Sequence, residues 1–196
     1  MSTPKYIIID TETSGLWPHH HGLVEFAAAV VSDDLKLLDT VSFDVCPPAD
    51  VEIDPVSLKI NKFTRERIAA GVSYEVACDT ITKFVESHFL ATTPVFVGQF
   101  YPFDYAFVVD MYVRTGRVEE LSGFMSNKFL DTKSTAMTDN LRAEHAGKER
   151  VFPSTSLSSP GGIKDALGIT TTHEAHTALG DVLMTYEVLV KLIQRG

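Results

Sequence analysis

Hydrophobic residues fall along this chain in two rhythms. Ile7, Ile8 and Ile9 are consecutive and β-branched, the pattern of a strand covered on both faces. The runs 22–32 (GLVEFAAAVVS) and 35–46 (LKLLDTVSFDVC) read as two more strands, with Asp33 and Asp34 between them predicting a hairpin. Pro47, Pro48 and Pro55 mark the loop that leaves the sheet. Ser73 then suits a helix N-cap, because Ala77, Ile81, Phe84, Val85 and His88 follow at helical spacing. Further strands are expected at 93–100 and 127–132, separated by a helix from near Asp104 to about Gly116. Residues 139–162 are polar and carry Pro153, Ser154, Pro160, Gly161 and Gly162, which predicts a mobile loop. A last helix is marked by the stripe Ala175, Ala178, Leu179, Val182, Leu183, Tyr186, Leu189, Val190 and Ile193. Strands that begin as a hairpin-linked group and later alternate with helices imply a three-layer α/β fold. Its mixed sheet of mostly five strands would carry helices on both faces.

Composition narrows the class without changing that picture. A chain of 196 residues suits one domain, taken here as 1–196, with a sizeable core. No basic segment leads into an apolar run at the N-terminus and no stretch reaches membrane-spanning length, so no membrane partner is expected. Cys46 and Cys78 are too few for a disulfide framework or a zinc site, and a cytoplasmic location follows as the default. Because the sequence ends soon after the last apolar stripe, no tail to tether a polymerase is expected. The net charge of -9 argues against coating nucleic acid by bulk electrostatics, though local basic patches remain open. One such run is Lys59, Lys62, Arg65 and Arg67 around Phe63.

The acids carry the chemistry. Asp10 and Glu12 follow the isoleucine run, and residues two apart on a strand share a face. Two carboxylates held that close repel unless a cation sits between them. Asp104 follows a second strand and opens a helix. Asp181 lies at the margin of the last helix's apolar stripe, where an unpaired carboxylate is costly. His176 and Asp181 are five residues apart, which on a regular helix separates them by roughly 140°. They serve one site only if His176 stands at an irregular helix start, with Thr172 as candidate cap. Each feature alone has a bland explanation in a surface ion pair, a helix cap or an exposed histidine. Their combination is harder to dismiss.

With these residues the sequence resembles the DEDDh 3′–5′ exonucleases of the ribonuclease H-like superfamily, which include polymerase proofreading subunits, ribonuclease T and oligoribonuclease. "DTETSGL" is similar to the first family motif, "FD" at 103–104 to the second, and "HTALGD" at 176–181 to the third. "INKFT" (60–64) and "FLDT" (129–132) are similar to weaker landmarks, so the resemblance runs from about residue 6 to 190. It implies a ribonuclease H-like fold and catalytic residues Asp10, Glu12, Asp104, His176 and Asp181. The four acids would bind two divalent cations, Mg²⁺ or Mn²⁺, as hard ions suit all-oxygen sites. Asp10 would bridge them, Glu12 and Asp181 would complete one sphere, and Asp104 would hold the second ion. His176 would take the proton of the attacking water. Thr13, Gly15 and Leu16 would border the terminal nucleotide, with Leu16 or Trp17 wedged against its base and Phe63 holding a phosphate or second base. One departure stands out. Family members commonly carry His-Asn before the second motif, where this chain has Gln99 and Phe100.

The expected function is a freestanding 3′–5′ exonuclease releasing nucleoside 5′-monophosphates from the 3′ ends of single-stranded DNA or RNA or of short oligonucleotides, acting as a monomer or homodimer. Alternatives are a polymerase-associated proofreading subunit, a non-catalytic nucleic-acid-binding or protein-binding module, and an endonuclease of the same superfamily. The remaining polar residues take structural readings. His173 and Glu174 in "HEAH" lack zinc-protease spacing. His19, His20 and His21 read as a solvated turn, Asp131 as structural, and Glu25 as paired with a neighbour.

Overall fold

A computed structural model of the protein describes residues 2–90, 92–170 and 173–195. Its centre is β1 (Pro4–Thr13), flanked on one side by the antiparallel strands β2 (Leu23–Ser32) and β3 (Leu37–Cys46). On the other side lie the parallel strands β5 (Val95–Gly98) and β6 (Phe129–Asp131). A two-residue strand β4 (Val72–Ser73) pairs parallel with the end of β3, giving the order β4-β3-β2-β1-β5-β6. The sheet therefore has six strands rather than five. The extra one is too short to leave an apolar run in the sequence.

Alternation along β1 sends side chains to two different cores. Ile7 and Ile9 pack with α3 (Tyr74–His88) and α4 (Tyr101–Arg114), around Ile81, Val85, Phe107 and Val108. Tyr6 and Ile8 pack with α8 (Ala178–Gln194) on the opposite face, through Ala178, Val182 and Leu189. β2 is buried at every position, which is why its sequence reads as one apolar run. Short helices α1 (Pro55–Asn61) and α2 (Arg65–Ala69) close one end over Val24, and α5 (Val118–Phe124) packs beside α3 and α4.

Two expectations change here. Residues 139–162 do not form one loop, because α6 (Thr132–His145) runs to His145. Beyond it, Phe152 and Leu157 are buried with Ile163 of α7 (Ile163–Ala166) and with Met184 and Val188 of α8, forming a small core of their own. Sparse apolar residues in a polar stretch anchor it. The cap of α8 is Thr177, whose hydroxyl accepts the Gly180 N–H at 3.2 Å; Thr172, the expected cap, lies outside the described residues. Ser73 does cap α3, as its sequence implies.

Asp131 is structural in a specific way. One carboxylate oxygen accepts the Ser134 N–H at 2.6 Å, capping α6, and the other accepts the Tyr101 N–H at 2.7 Å, pinning the start of α4. Asp131→Ala removes a cap and orphans a buried N–H, and should lower unfolding free energy by about 2–4 kcal/mol in chemical denaturation. Asp131→Asn, which keeps an acceptor, should lose less.

Candidate active site

The carboxylates meet because helices on both faces of the sheet reach past the end of β1. Asp10 and Glu12 share the α8 face with Ile8, and α8 brings Asp181 in its first turn to that face. Oxygens of Asp10, Glu12 and Asp181 all lie within 4.8 Å of one another. Asp104 arrives from the other face, in the first turn of α4. Its Oδ1 accepts both the Thr11 N–H, at 2.9 Å, and the Thr11 hydroxyl, at 2.8 Å. The acid is thereby tied to the strand between Asp10 and Glu12.

His176 stands at an irregular helix start, with a left-handed backbone at φ 62°, and its N–H reaches Asp181 Oδ2 at 3.3 Å. This exposed histidine lines a cavity of about 350 Å³ together with Asp10 and Asp181. The five residues of the three motifs thus converge around one strand end. Asn61 supports them from α1 by donating to the Thr13 carbonyl at 3.1 Å.

The electrostatics follow from crowding and burial. Burial first, then the charges of Asp104, Asp181, Glu12 and Glu25, raises the Asp10 carboxyl well above the usual carboxylate range. Glu12 is pushed up to about 8 by burial and then by Asp181, Glu25 and Asp104. Asp104 rises to about 7 through burial, against the Thr11 hydrogen bonds that favour its charged form. Burial likewise raises Asp181. An all-oxygen donor set under mutual repulsion fits hard divalent cations.

Glu25 is a contributor that sequence reading underrated. It lies directly across from Glu12 in the β1–β2 register and accepts the Ala178 N–H at 3.1 Å, fastening the start of α8. Arg67 offsets its charge at 3.6 Å while gripping Asp44 at 2.6 and 2.7 Å.

That arrangement corrects the expectation for Phe63. Its ring is 4% exposed, packed with Val24 and Ile68, and the Arg67 guanidinium lies over it at 3.7 Å. No base has access to it. Instead it buttresses the arginine that serves the acids, and Lys62 pairs with Glu174 at 3.3 Å. Thr13 and Gly15 are also buried. The Thr13 hydroxyl donates to the Gly15 carbonyl at 2.7 Å, and a Cβ on Gly15 would lie 1.8 Å from the His21 ring. They shape the turn from beneath, leaving Leu16 and Trp17 each 66% exposed on its outside. His19 meets Asp110 at 3.2 Å and His21 packs under Gly15, so the histidine run holds the turn. His173 pairs with Glu187 at 3.0 Å, away from the cavity.

The exonuclease pattern RNase_T matches residues 7–189, nearly the whole chain and all the residues just described. The chain belongs to the RNase_T exonuclease family. No curated protein matches it significantly. Among solved structures, the zinc-bound complex of E. coli exonuclease I with single-stranded DNA aligns with a TM-score of 0.75 at 18% identity, over 98% of this chain and 41% of that one. E. coli exonuclease I bound to a dT13 oligonucleotide gives 0.72 at 18% identity, over 96% and 40%. Its complex with a 5cy-dA13 oligonucleotide gives 0.74 at 19%, over 97% and 40%. The chain thus spans about two-fifths of the length of these exonucleases, whose likeness speaks for the shared fold. Gln99 has a structural role. The Gln99 Oε1 accepts the Thr132 hydroxyl at 2.5 Å and its Nε2 donates to the Thr155 carbonyl at 3.0 Å, tying β5, α6 and the 155–158 segment into one wall.

The raised carboxyl groups set a pH dependence. Unfolded carboxylates titrate near 4, so the folded, cation-free protein holds the extra protons between that pH and the values near 7 and 8. Stability from these groups is complete below pH ~4 and lost as pH rises through ~7–8. Denaturation in chelator should therefore show falling stability from pH 5 to pH 8, with a shallower fall in Glu12→Gln.

Proposed function

We propose that this chain is a metal-dependent 3′–5′ exonuclease that releases nucleoside 5′-monophosphates from single-stranded nucleic-acid ends. The observation that carries this reading is the meeting of Asp10, Glu12 and Asp181 within 4.8 Å, beside Asp104 and His176.

Asp10, Glu12 and Asp181 would hold one divalent cation, and Asp104 with Asp10 a second, each Mg²⁺ or Mn²⁺. When bound, such a pair supplies an activated water and neutralises charge on the attacking and leaving oxygens. An imidazole nitrogen of His176 would take the water's proton as general base. The left-handed backbone at His176 and its N–H contact to Asp181 set the ring at the cavity's rim. Leu16 and Trp17, exposed on the turn after β1, border the terminal nucleotide, where an apolar face stacks on any base. The turn they sit on is fixed by hydrogen bonds from His20 and His21 N–H to the Trp17 carbonyl, at 2.9 and 2.8 Å.

Among the described residues no helix is long and apolar enough to cross a membrane. The free thiols of Cys46 and Cys78 suit a reducing, cytoplasmic compartment.

Digestion of end-labelled single-stranded DNA and RNA with Mg²⁺ or Mn²⁺ tests the reading. A ladder shortening from the 3′ end is expected; absence of cleavage with either cation overturns it. His176→Ala should lower kcat by ~10²–10⁴-fold. Asp10→Asn and Asp104→Asn should reduce cleavage to background. Asparagine is the right replacement at 104 because alanine would orphan the buried Thr11 N–H.

A further inference from the structure

Two residues in the wall facing the acids sit where local structure disfavours them. Phe100 has a left-handed backbone, φ 68° and ψ 45°, which costs an L-residue with a bulky side chain and marks positions retained for another purpose. It offers α4 no side-chain cap, and its ring is 49% exposed. Lys133 stands in the first turn of α6, where the helix dipole opposes a cation. It is half-buried and has no carboxylate partner among the described residues, its ammonium lying 4.7 Å from the centre of the Phe100 ring. Both line the same cavity as Asp10, Asp181 and His176.

These violations coincide in space, at the ends of β5 and β6, whereas the turn carrying Leu16 and Trp17 leads from β1 back to β2. Local penalties that converge on one cavity point to a ligand that repays them. A cation with no carboxylate partner among the described residues, beside an accessible aromatic ring, has the chemistry for a nucleotide unit: a base on the ring, a phosphate on the ammonium. A phosphate also resolves the oddity of the wall itself, as among the described residues Lys133 is the one cationic side chain in a cavity otherwise lined by acids, neutral residues and His176.

We propose that Phe100 and Lys133 form a nucleotide subsite, separate from the Leu16–Trp17 turn, in which the ring stacks on an unpaired base and the ammonium meets the phosphate of the same strand. The subsite rests on the exonuclease reading for its context. It makes the preferred substrate a single strand, because a stacked ring needs a base free of its complement.

The variants are Phe100→Asn, in which asparagine tolerates the left-handed backbone without a ring, and Lys133→Met, which keeps the apolar stem without the charge. Neither should lower the melting temperature, since each relieves a local penalty. With end-labelled single-stranded oligothymidylate, Phe100→Asn should raise KM ~5–100-fold, the usual worth of one stacked base. Lys133→Met should weaken binding, measured by fluorescence anisotropy of the same oligonucleotide, and reduce the log–log salt slope by ~0.7, one phosphate contact. A purely structural role would move the melting temperature and leave that slope unchanged. An active wild type with KM and salt slope unaltered in the variants overturns the subsite while leaving the exonuclease reading intact. An inactive wild type whose binding keeps a Lys133-dependent slope overturns the catalytic reading and supports the subsite. A wild type that neither cleaves nor binds overturns both.

Discussion

Repulsion among carboxylates at the end of β1 is the constraint around which this molecule is organised. Asp10 and Glu12 leave one face of the strand, Asp181 is brought down on them by α8, and Asp104 is tied to Thr11 from the opposite face. No single element has reason to tolerate this. The cost is borne by the packing of the sheet between two helical layers, with Ile7 and Ile9 gripping one layer and Tyr6 and Ile8 the other. Glu25 adds a further acid because its carboxylate is needed at the start of α8, and Arg67 answers it. Asp131 sets the start of α4, and through it the approach of Asp104.

Features governed by short-range periodicity were legible in the sequence. The isoleucine run, the hairpin pair and the stripe of the last helix each follow from alternation or helical spacing, and the structure keeps them. So was the shared face of Asp10 and Glu12, which the two-residue strand repeat dictates. Features that depend on distant partners were hidden. Residues 132–145 have weak apolar patterning, so α6 is recognisable only through its cap at Asp131 and through Phe152, whose backbone is bridged by Asn140 on that helix at 2.8 Å in both directions. Phe63 looked like a contact surface because its basic neighbours are visible in sequence and the cover over its ring is not. Glu25 inside an apolar run was the clearest clue to long-range pairing, though its partners Ala178 and Arg67 lie far along the chain.

The second motif illustrates how a family framework absorbs change. Asp104 keeps its place because its position is set by the helix start and by Thr11. Gln99 and Phe100, just ahead of it, are then free to do other work. Gln99 becomes a bracket between β5, α6 and the 155–158 segment, and Phe100 presents a ring on the same wall. The clustered acids and the wall facing them are thus held by separate contacts.

The hydrogen bond from Ala178 to Glu25 joins residues 153 positions apart, and it has a consequence for how the protein comes into being. Bringing the three clustered acids together requires the last helix to dock on strands that lie far earlier in the sequence. A polypeptide ending before that helix contains two of the three clustered acids. The acid cluster is therefore incomplete until the last helix has docked, a dependence that arises from topology alone.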